Sequence, residues 1–239
     1  MAISRAIRGG LLTIALLATA PTMAASLQVA PTGLALAPAQ NADVLTLTNS
    51  GSEAMRAQVR VFHWTQRDGK DVLEPTHDIV ATPAMLSIAP GASQLVRVVR
   101  LTPPGATEGS YRVIVSELPP PKKQGAKIGL QFALEYSLPV FLLPPGAPQT
   151  GGYALHARRA GNALEVSNSG RMHARLSSLT QVAADGKKTV LFPGLLGYVL
   201  PGQTMRWTLP PAKDSGTGAF SAMINDDNAA SPLPNSTTP

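Results

Sequence analysis

The feature that most constrains the fold is a period of two in the apolar residues, broken at short intervals by proline or glycine. Alternate side chains of a β-strand point to opposite faces of a sheet, so this period is typical of half-buried strands. The clearest segments lie at 44–48, 58–64, 84–88, 94–100 and 110–115. The chain has 22 prolines and 21 glycines. Turns such as Asn49-Ser50-Gly51 therefore indicate many short strands rather than long helices.

The strand segments fall into two groups separated by the proline-rich run 144–148. About seven segments before residue 143 have the spacing of an immunoglobulin-like sandwich. A second set follows at 164–167, 174–179, 198–200, 205–209 and 219–224. We therefore predict an all-β fold of two immunoglobulin-like β-sandwich domains in a boomerang arrangement. The predicted limits are 25–143 for the first domain, 144–150 for a hinge, 151–225 for the second domain and 226–239 for a disordered tail.

The N-terminus has the pattern of an export signal. Arg5 and Arg8 precede the apolar run 11–18, and small residues follow as far as Ala25. This order predicts a signal peptide over residues 1–24 and a mature protein in the periplasm. The apolar run is too short to span a membrane, and no later run is long enough, so we expect no membrane insertion. The chain has no cysteine, so its core must hold the fold without disulfides.

The sequence lacks the patterns of the common enzyme and metal sites. The four histidines, His63, His77, His156 and His173, are far apart and none has metal-ligand spacing. No nucleophile elbow, phosphate-binding loop or dinucleotide fingerprint is present. Basic residues are scattered and aromatic residues make up only 5% of the chain, which is unlike a nucleic-acid-binding surface. We therefore predict a protein that is not an enzyme, binds no nucleic acid and uses no metal or cofactor.

The most informative segment is 128–136. Large apolar residues alternate there with small or polar ones, and the apolar positions are Ile128, Leu130, Phe132 and Leu134. A strand with this pattern presents one strongly apolar face. The pattern alone allows two interpretations, because the face could pack on the core of its own domain or be offered to a partner.

Three further segments, taken in order with this one, resemble the N-terminal domain of the periplasmic chaperones that assemble pili by the chaperone–usher pathway. They are 86–98 with its Pro90-Gly91 turn, 110–120, and 138–144. The resemblance implies that the last strand of the first domain, the G strand, is lent to a pilus subunit whose own sandwich lacks a strand. Ile128, Leu130, Phe132 and Leu134 would then fill the subunit's groove. It also implies delivery to an outer-membrane usher, and a free form that is a monomer.

Many members of this family grip the subunit's terminal carboxylate with an arginine early in the first strand and a lysine late in the G strand. The corresponding positions here, 29–31 and 137–139, contain no cation, as in the archaic branch of the family. The resemblance therefore makes Arg112 the candidate anchor, because an arginine fork donates two parallel hydrogen bonds to a carboxylate. Arg97 and Arg100 are weaker candidates, and we predict both to be surface charges.

One alternative remains open from the sequence, namely a secreted two-domain β-sandwich structural subunit or adhesin. Such a subunit should carry a donor extension of its own and lack a final strand, so it should polymerise when purified. A chaperone should stay monomeric.

Overall fold

The computed structural model describes residues 27–119 and 133–235. These residues form seventeen β-strands and no α-helix, which confirms the predicted all-β class. Accordingly, no described segment is a helix long and apolar enough to cross a membrane. The predicted signal peptide lies outside the described residues, as do the predicted donor residues Ile128, Leu130 and Phe132.

The first sandwich is made of two sheets. Its strands are β1 (Leu27–Ala30), β2 (Leu34–Leu36), β3 (Ala42–Asn49), β4 (Met55–Arg67), β5 (Lys70–Pro75), β6 (Ile79–Thr82), β7 (Met85–Ile88), β8 (Ser93–Arg100), β9 (Gly109–Leu118) and β10 (Glu135–Leu142). One sheet has the order β1-β3-β8-β6. The other has the order β2-β10-β9-β4-β5, with β7 also paired to β4. The short strands β5 and β6 escape the sequence prediction because neither contains a long apolar run.

The second sandwich is smaller. Its strands are β11 (Leu155–Ala160), β12 (Ala163–Asn168), β13 (Ala174–Val182), β14 (Lys188–Val199), β15 (Thr204–Thr208), β16 (Ala219–Ile224) and β17 (Ala230–Pro232). The sheet β11-β12-β15 faces the sheet β14-β13-β16-β17. Each sandwich has its own buried apolar core, and the predicted pair of immunoglobulin-like domains is confirmed.

Each sandwich contains one buried asparagine, at an equivalent turn, that binds backbone carbonyls of its own sandwich. Asn49 donates its side-chain amide to the carbonyls of Glu53 and Ile88 at 2.7 and 3.0 Å. Asn168 does the same to the carbonyls of Met172 and Val199 at 2.8 and 3.0 Å. Both residues begin an Asn-Ser-Gly sequence, so the turn motif read from the sequence also supplies hydrogen bonds to buried backbone groups.

The predicted disordered tail requires a correction. Residues 230–232 form β17, which pairs with β16 through contacts such as Ala222 with Ser231. Leu233 is buried in the second core, and the carbonyl of Pro234 accepts a hydrogen bond from the amide of Ala157 at 2.7 Å. A strand of three residues has no readable period, so the sequence does not reveal it.

An ion pair in the second sandwich allows a stability prediction. Arg159 donates from Nη1 and Nη2 to the Asp214 carboxylate at 2.6 and 2.8 Å, and Gln181 donates to it at 2.9 Å. The Arg159 hydrogen bond is the main reason that the pKa of Asp214 falls to about 2. Because the folded pKa lies below the unfolded one, the pair stabilises the fold above about pH 4. This stabilisation is lost as the pH falls through about 2.

Asp214→Asn is therefore expected to lower the free energy of unfolding at pH 7 by about 1–3 kcal/mol, with a smaller loss at pH 3. Urea denaturation at the two pH values measures both differences. Asp226→Asn is the matched control, because the Asp226 side chain is 97% exposed in its pair with Arg175. Such a pair contributes little. Equal stability of Asp214→Asn and the wild type at pH 7 would contradict the prediction.

Candidate functional site

The last strand of the first sandwich has an open edge. β10 pairs with β9 along all eight of its residues, from Glu135 to Leu142. On its other side, β10 pairs with β2 only at Val140, Phe141 and Leu142, and this pairing is parallel. Among the described residues, the edge from Glu135 to Pro139 has no neighbouring strand. Its main-chain groups, apart from the Ser137 carbonyl that accepts a hydrogen bond from Arg112, are therefore available to another chain.

The inner face of β10 continues the apolar core. Leu138, Val140 and Leu142 are buried there, and Tyr136 packs against them. Leu134 lies just before the strand, is half-buried and contacts the same core, while its carbonyl accepts a hydrogen bond from Glu117 at 2.8 Å. Leu134, the one predicted donor residue that the structure describes, therefore faces its own domain.

A cleft of about 700 Å³ lies where the open edge reaches the second sandwich. Its lining includes Gly33 and Pro139 from the first sandwich and Tyr153, His173 and Tyr198 from the second. A Cβ atom at Gly33 would lie 3.1 Å from Cγ of Pro139, so a side chain at this position would crowd the proline.

Arg112 lies on β9 directly opposite Pro139. Its guanidinium carbon is 3.7 Å from the centre of the Trp64 ring and 5.3 Å from that of Tyr198. Its nitrogen Nη1 donates one long hydrogen bond, 3.3 Å, to the carbonyl of Ser137. Within the described chain, no carboxylate lies within ion-pair distance of Arg112. Most N–H donors of the Arg112 guanidinium are thus unpaired within the described chain. They lie beside Pro139, a lining residue of the cleft.

Burial lowers the pKa of the Arg112 guanidinium, while charge interactions with Tyr198 and Asp71 oppose that shift. Arginine stays charged in proteins despite such shifts. A half-buried cation that lacks a bound anion is costly, and an arriving carboxylate would relieve that cost.

The two weaker anchor candidates lie on β8, in the other sheet. Arg97 is exposed, as predicted. None of the three arginines is itself a lining residue of the cleft, but only Arg112 is paired with one, Pro139. Arg100 was predicted to be a surface charge, and this prediction is wrong, because the residue is only 6% exposed. Its Nη2 donates to the carbonyl of Pro38 at 2.5 Å and to Asn41 Oδ1 at 3.4 Å. These hydrogen bonds stabilise the turn between β2 and β3.

Sequence reasoning missed the residues that join the two sandwiches. Gln66 donates to the carbonyl of Tyr198 at 2.8 Å and accepts from the amide of Leu200 at 3.0 Å. Glu108, whose side chain is fully buried, accepts from Nδ1 of His173 at 2.8 Å. The partners lie far apart in sequence, so no local pattern could have paired them. In the described part of the chain, no group of acidic residues and histidines could hold a metal ion.

The sequence matches the family described as pili and flagellar-assembly chaperone, PapD N-terminal domain, over residues 26–148. No curated protein sequence matches the chain. The structure is similar to a solved chaperone–tip adhesion subunit complex from the archaic chaperone–usher Csu pili of Acinetobacter baumannii. That match has a TM-score of 0.66 and 23% identity, and covers 87% of this chain and 97% of the other.

Two further solved structures are similar. The Escherichia coli chaperone DraB has a TM-score of 0.56 and 23% identity, with 83% of this chain and 92% of DraB covered. A complex of the Salmonella enterica SafA pilin with the SafB chaperone has a TM-score of 0.61 and 19% identity, with 89% and 97% covered. At these identities, the similarity shows the two-domain fold.

Proposed function

The chain belongs to the pili and flagellar-assembly chaperones, a family of assembly proteins rather than enzymes, and on that premise we propose that it holds pilus subunits by donor-strand complementation. The observation that carries this proposal is the open edge of β10 between Glu135 and Pro139. A subunit that lacks a strand can add its own edge there through main-chain hydrogen bonds.

The geometry of the edge favours one direction for the added strand. β2 occupies the edge from Val140 onward, so an incoming strand must stop near Pro139. β10 runs towards the cleft, and a parallel strand would therefore bring its C-terminus to Arg112. An antiparallel strand would bring its N-terminal end instead, which offers no carboxylate for the guanidinium to bind. Charge thus favours the parallel arrangement.

The apolar side chains that fill the subunit's groove are, in this proposal, Ile128, Leu130 and Phe132, and the predicted fourth donor, Leu134, joins the groove to the chaperone's own core. Leu134 packs against that core. The subunit's groove would extend the core, with Ile128, Leu130 and Phe132 packing into the subunit. Each large side chain buried in this way contributes about 1.5–3 kcal/mol before ordering costs are subtracted.

Arg112 is the proposed anchor for the subunit's terminal carboxylate. An anchor sets the register of the added strand, and a shift by one residue would turn every apolar side chain to the wrong face. Two donors of the guanidinium fork can bind both oxygens of a carboxylate.

The N-terminal pattern supports export to the periplasm, where the chaperone would pass its subunit to an outer-membrane usher. Cleavage after Ala24 or Ala25 would leave a mature chain that starts just before β1. Mass spectrometry of the protein recovered from a periplasmic fraction tests this step. An uncleaved chain in the cytoplasm would contradict it.

The function is tested by expressing the tagged chain together with the pilus subunits of its host and identifying what it binds in the periplasm. We expect a one-to-one complex with a subunit that aggregates when expressed alone. A chain that polymerises by itself and protects no subunit would instead support the structural-subunit alternative.

A further inference from the structure

We infer that the hydroxyl of Tyr198 donates a second hydrogen bond to the bound carboxylate, so that both sandwiches build the terminus-binding site. This inference rests on the proposed function, because it concerns the group that would arrive at Arg112. It adds a residue of β14, in the second sandwich, to an anchor that the sequence assigns to β9 alone.

The position of Tyr198 supports this role. Its ring lines the cleft, and the ring centre lies 5.3 Å from the guanidinium carbon of Arg112. Among the described residues, the Tyr198 hydroxyl has no hydrogen-bond partner. A carboxylate beside Arg112 would therefore have a phenol donor within reach.

The ring of Tyr198 is held before any ligand arrives. It packs edge-on to Trp64, with ring centres 5.1 Å apart and an angle of 76° between the planes. Phe141 and His173 flank it at 6.1 and 5.7 Å. Gln66 fixes its backbone through the bond to its carbonyl. A donor that is already oriented loses little entropy when it binds, which increases its contribution to specificity.

Two other donors that line the cleft are engaged elsewhere. Nδ1 of His173 is committed to Glu108, and Arg175 donates to the Asn225 carbonyl and to Asp226, each at 2.6 Å. Tyr153 lines the same cleft but lies near Asp227. Burial, followed by that charge, raises the pKa of Tyr153. A carboxylate would be repelled at that side and attracted at the side of Arg112 and Tyr198.

The ligand class is the free C-terminal carboxylate of an extended chain, and an amide is the discriminating analogue. An amide group carries no charge for Arg112 and has one oxygen fewer to accept from Tyr198. Loss of the Tyr198 hydroxyl should therefore reduce binding of the carboxylate and leave binding of the amide unchanged.

The test uses two acetylated eight-residue peptides of alternating valine and serine, one with a free C-terminus and one amidated. Their affinities for the full chain are measured by isothermal titration or, for weak binding, by NMR. Tyr198→Phe keeps the ring packing and removes only the hydroxyl. Tyr153→Phe is the matched control, because it removes a hydroxyl from the same cleft on the side of Asp227. Melting temperatures confirm that both variants are folded.

We expect the wild type and Tyr153→Phe to prefer the free carboxylate, and Tyr198→Phe to lose about fivefold to tenfold of that preference. An unchanged preference in Tyr198→Phe, or an equal loss in Tyr153→Phe, would overturn the inference and leave the anchor at Arg112. A wild type that binds both peptides equally would overturn the carboxylate anchor as well. Failure of the wild-type chain to capture any subunit would count against the proposed function itself.

Discussion

Leu130→Asp combined with Phe132→Asp is expected to reduce subunit binding at least about 100-fold while leaving the melting temperature of the free chain unchanged. The two side chains would otherwise contribute about 1.5–3 kcal/mol each in the subunit's groove. A carboxylate placed there would also lose its hydration without gaining a partner. Binding is measured with the purified subunit that the wild-type chain captures, and folding by circular dichroism during a thermal scan.

The neighbouring positions supply a matched control for this variant. Gln131→Asp combined with Ala133→Asp adds the same charge to the alternate positions of the same segment, and Ala133 is exposed. This control should bind within a few-fold of the wild type. Equal losses in both double variants would contradict a donor face. A drop in melting temperature for the first variant would support the interpretation that the segment packs in its own core.

Leu134 is a separate case, because it already contacts the core of the first sandwich. Leu134→Asp should lower both stability and binding, so it cannot by itself distinguish the two interpretations. The residues before Leu134 therefore carry the decisive test.

Arg112→Ala is expected to weaken subunit binding by about 1.5–3 kcal/mol, the range for a hydrogen bond to a charged group. Arg112→Lys should recover only part of this loss, because an ammonium cannot form the two parallel bonds of the guanidinium fork. Affinities of both variants are measured with the same purified subunit.

Arg97→Ala is the matched control for the anchor, because Arg97 is an exposed arginine of the same domain in the opposite sheet. It should bind like the wild type. Arg112 also stacks on Trp64. The melting temperature therefore accompanies each affinity, to separate loss of the anchor from loss of packing. Wild-type binding by Arg112→Ala, with loss in Arg97→Ala, would move the anchor to the other sheet.

The sequence predicts the sheet architecture well because most strands bury one face and their apolar residues alternate. It fails where that period is interrupted. β14 was predicted only around residues 198–200, although it begins at Lys188. Bulges near Ser177 shift its register with β13, and Gly194 and Gly197 break its pattern.

The prediction for Arg100 was wrong for another reason, because it gave more weight to the charge of the side chain than to the alternation of buried and exposed residues along β8. Arg100 lies two and four residues after the buried Val98 and Val96, so its side chain points to the same buried face of β8.

The cleft could be predicted only in part. The period of two and the family resemblance led to Arg112 and to the donor segment. Tyr198 had no signal of its own, because its neighbour Gln66 is 132 residues away in the chain. Contacts of this kind follow from the way the two sandwiches meet, which no local pattern encodes.

The central claim is that a subunit strand pairs with the open edge of β10. Amide hydrogen exchange of residues 135–138, compared between the free chain and its complex with the purified subunit, tests it most directly. We expect slower exchange in the complex at Glu135 and Ser137, whose amides face the open edge, and unchanged exchange along β14. Unchanged exchange at Glu135 and Ser137, with new protection along β14 or β6 instead, would contradict the claim.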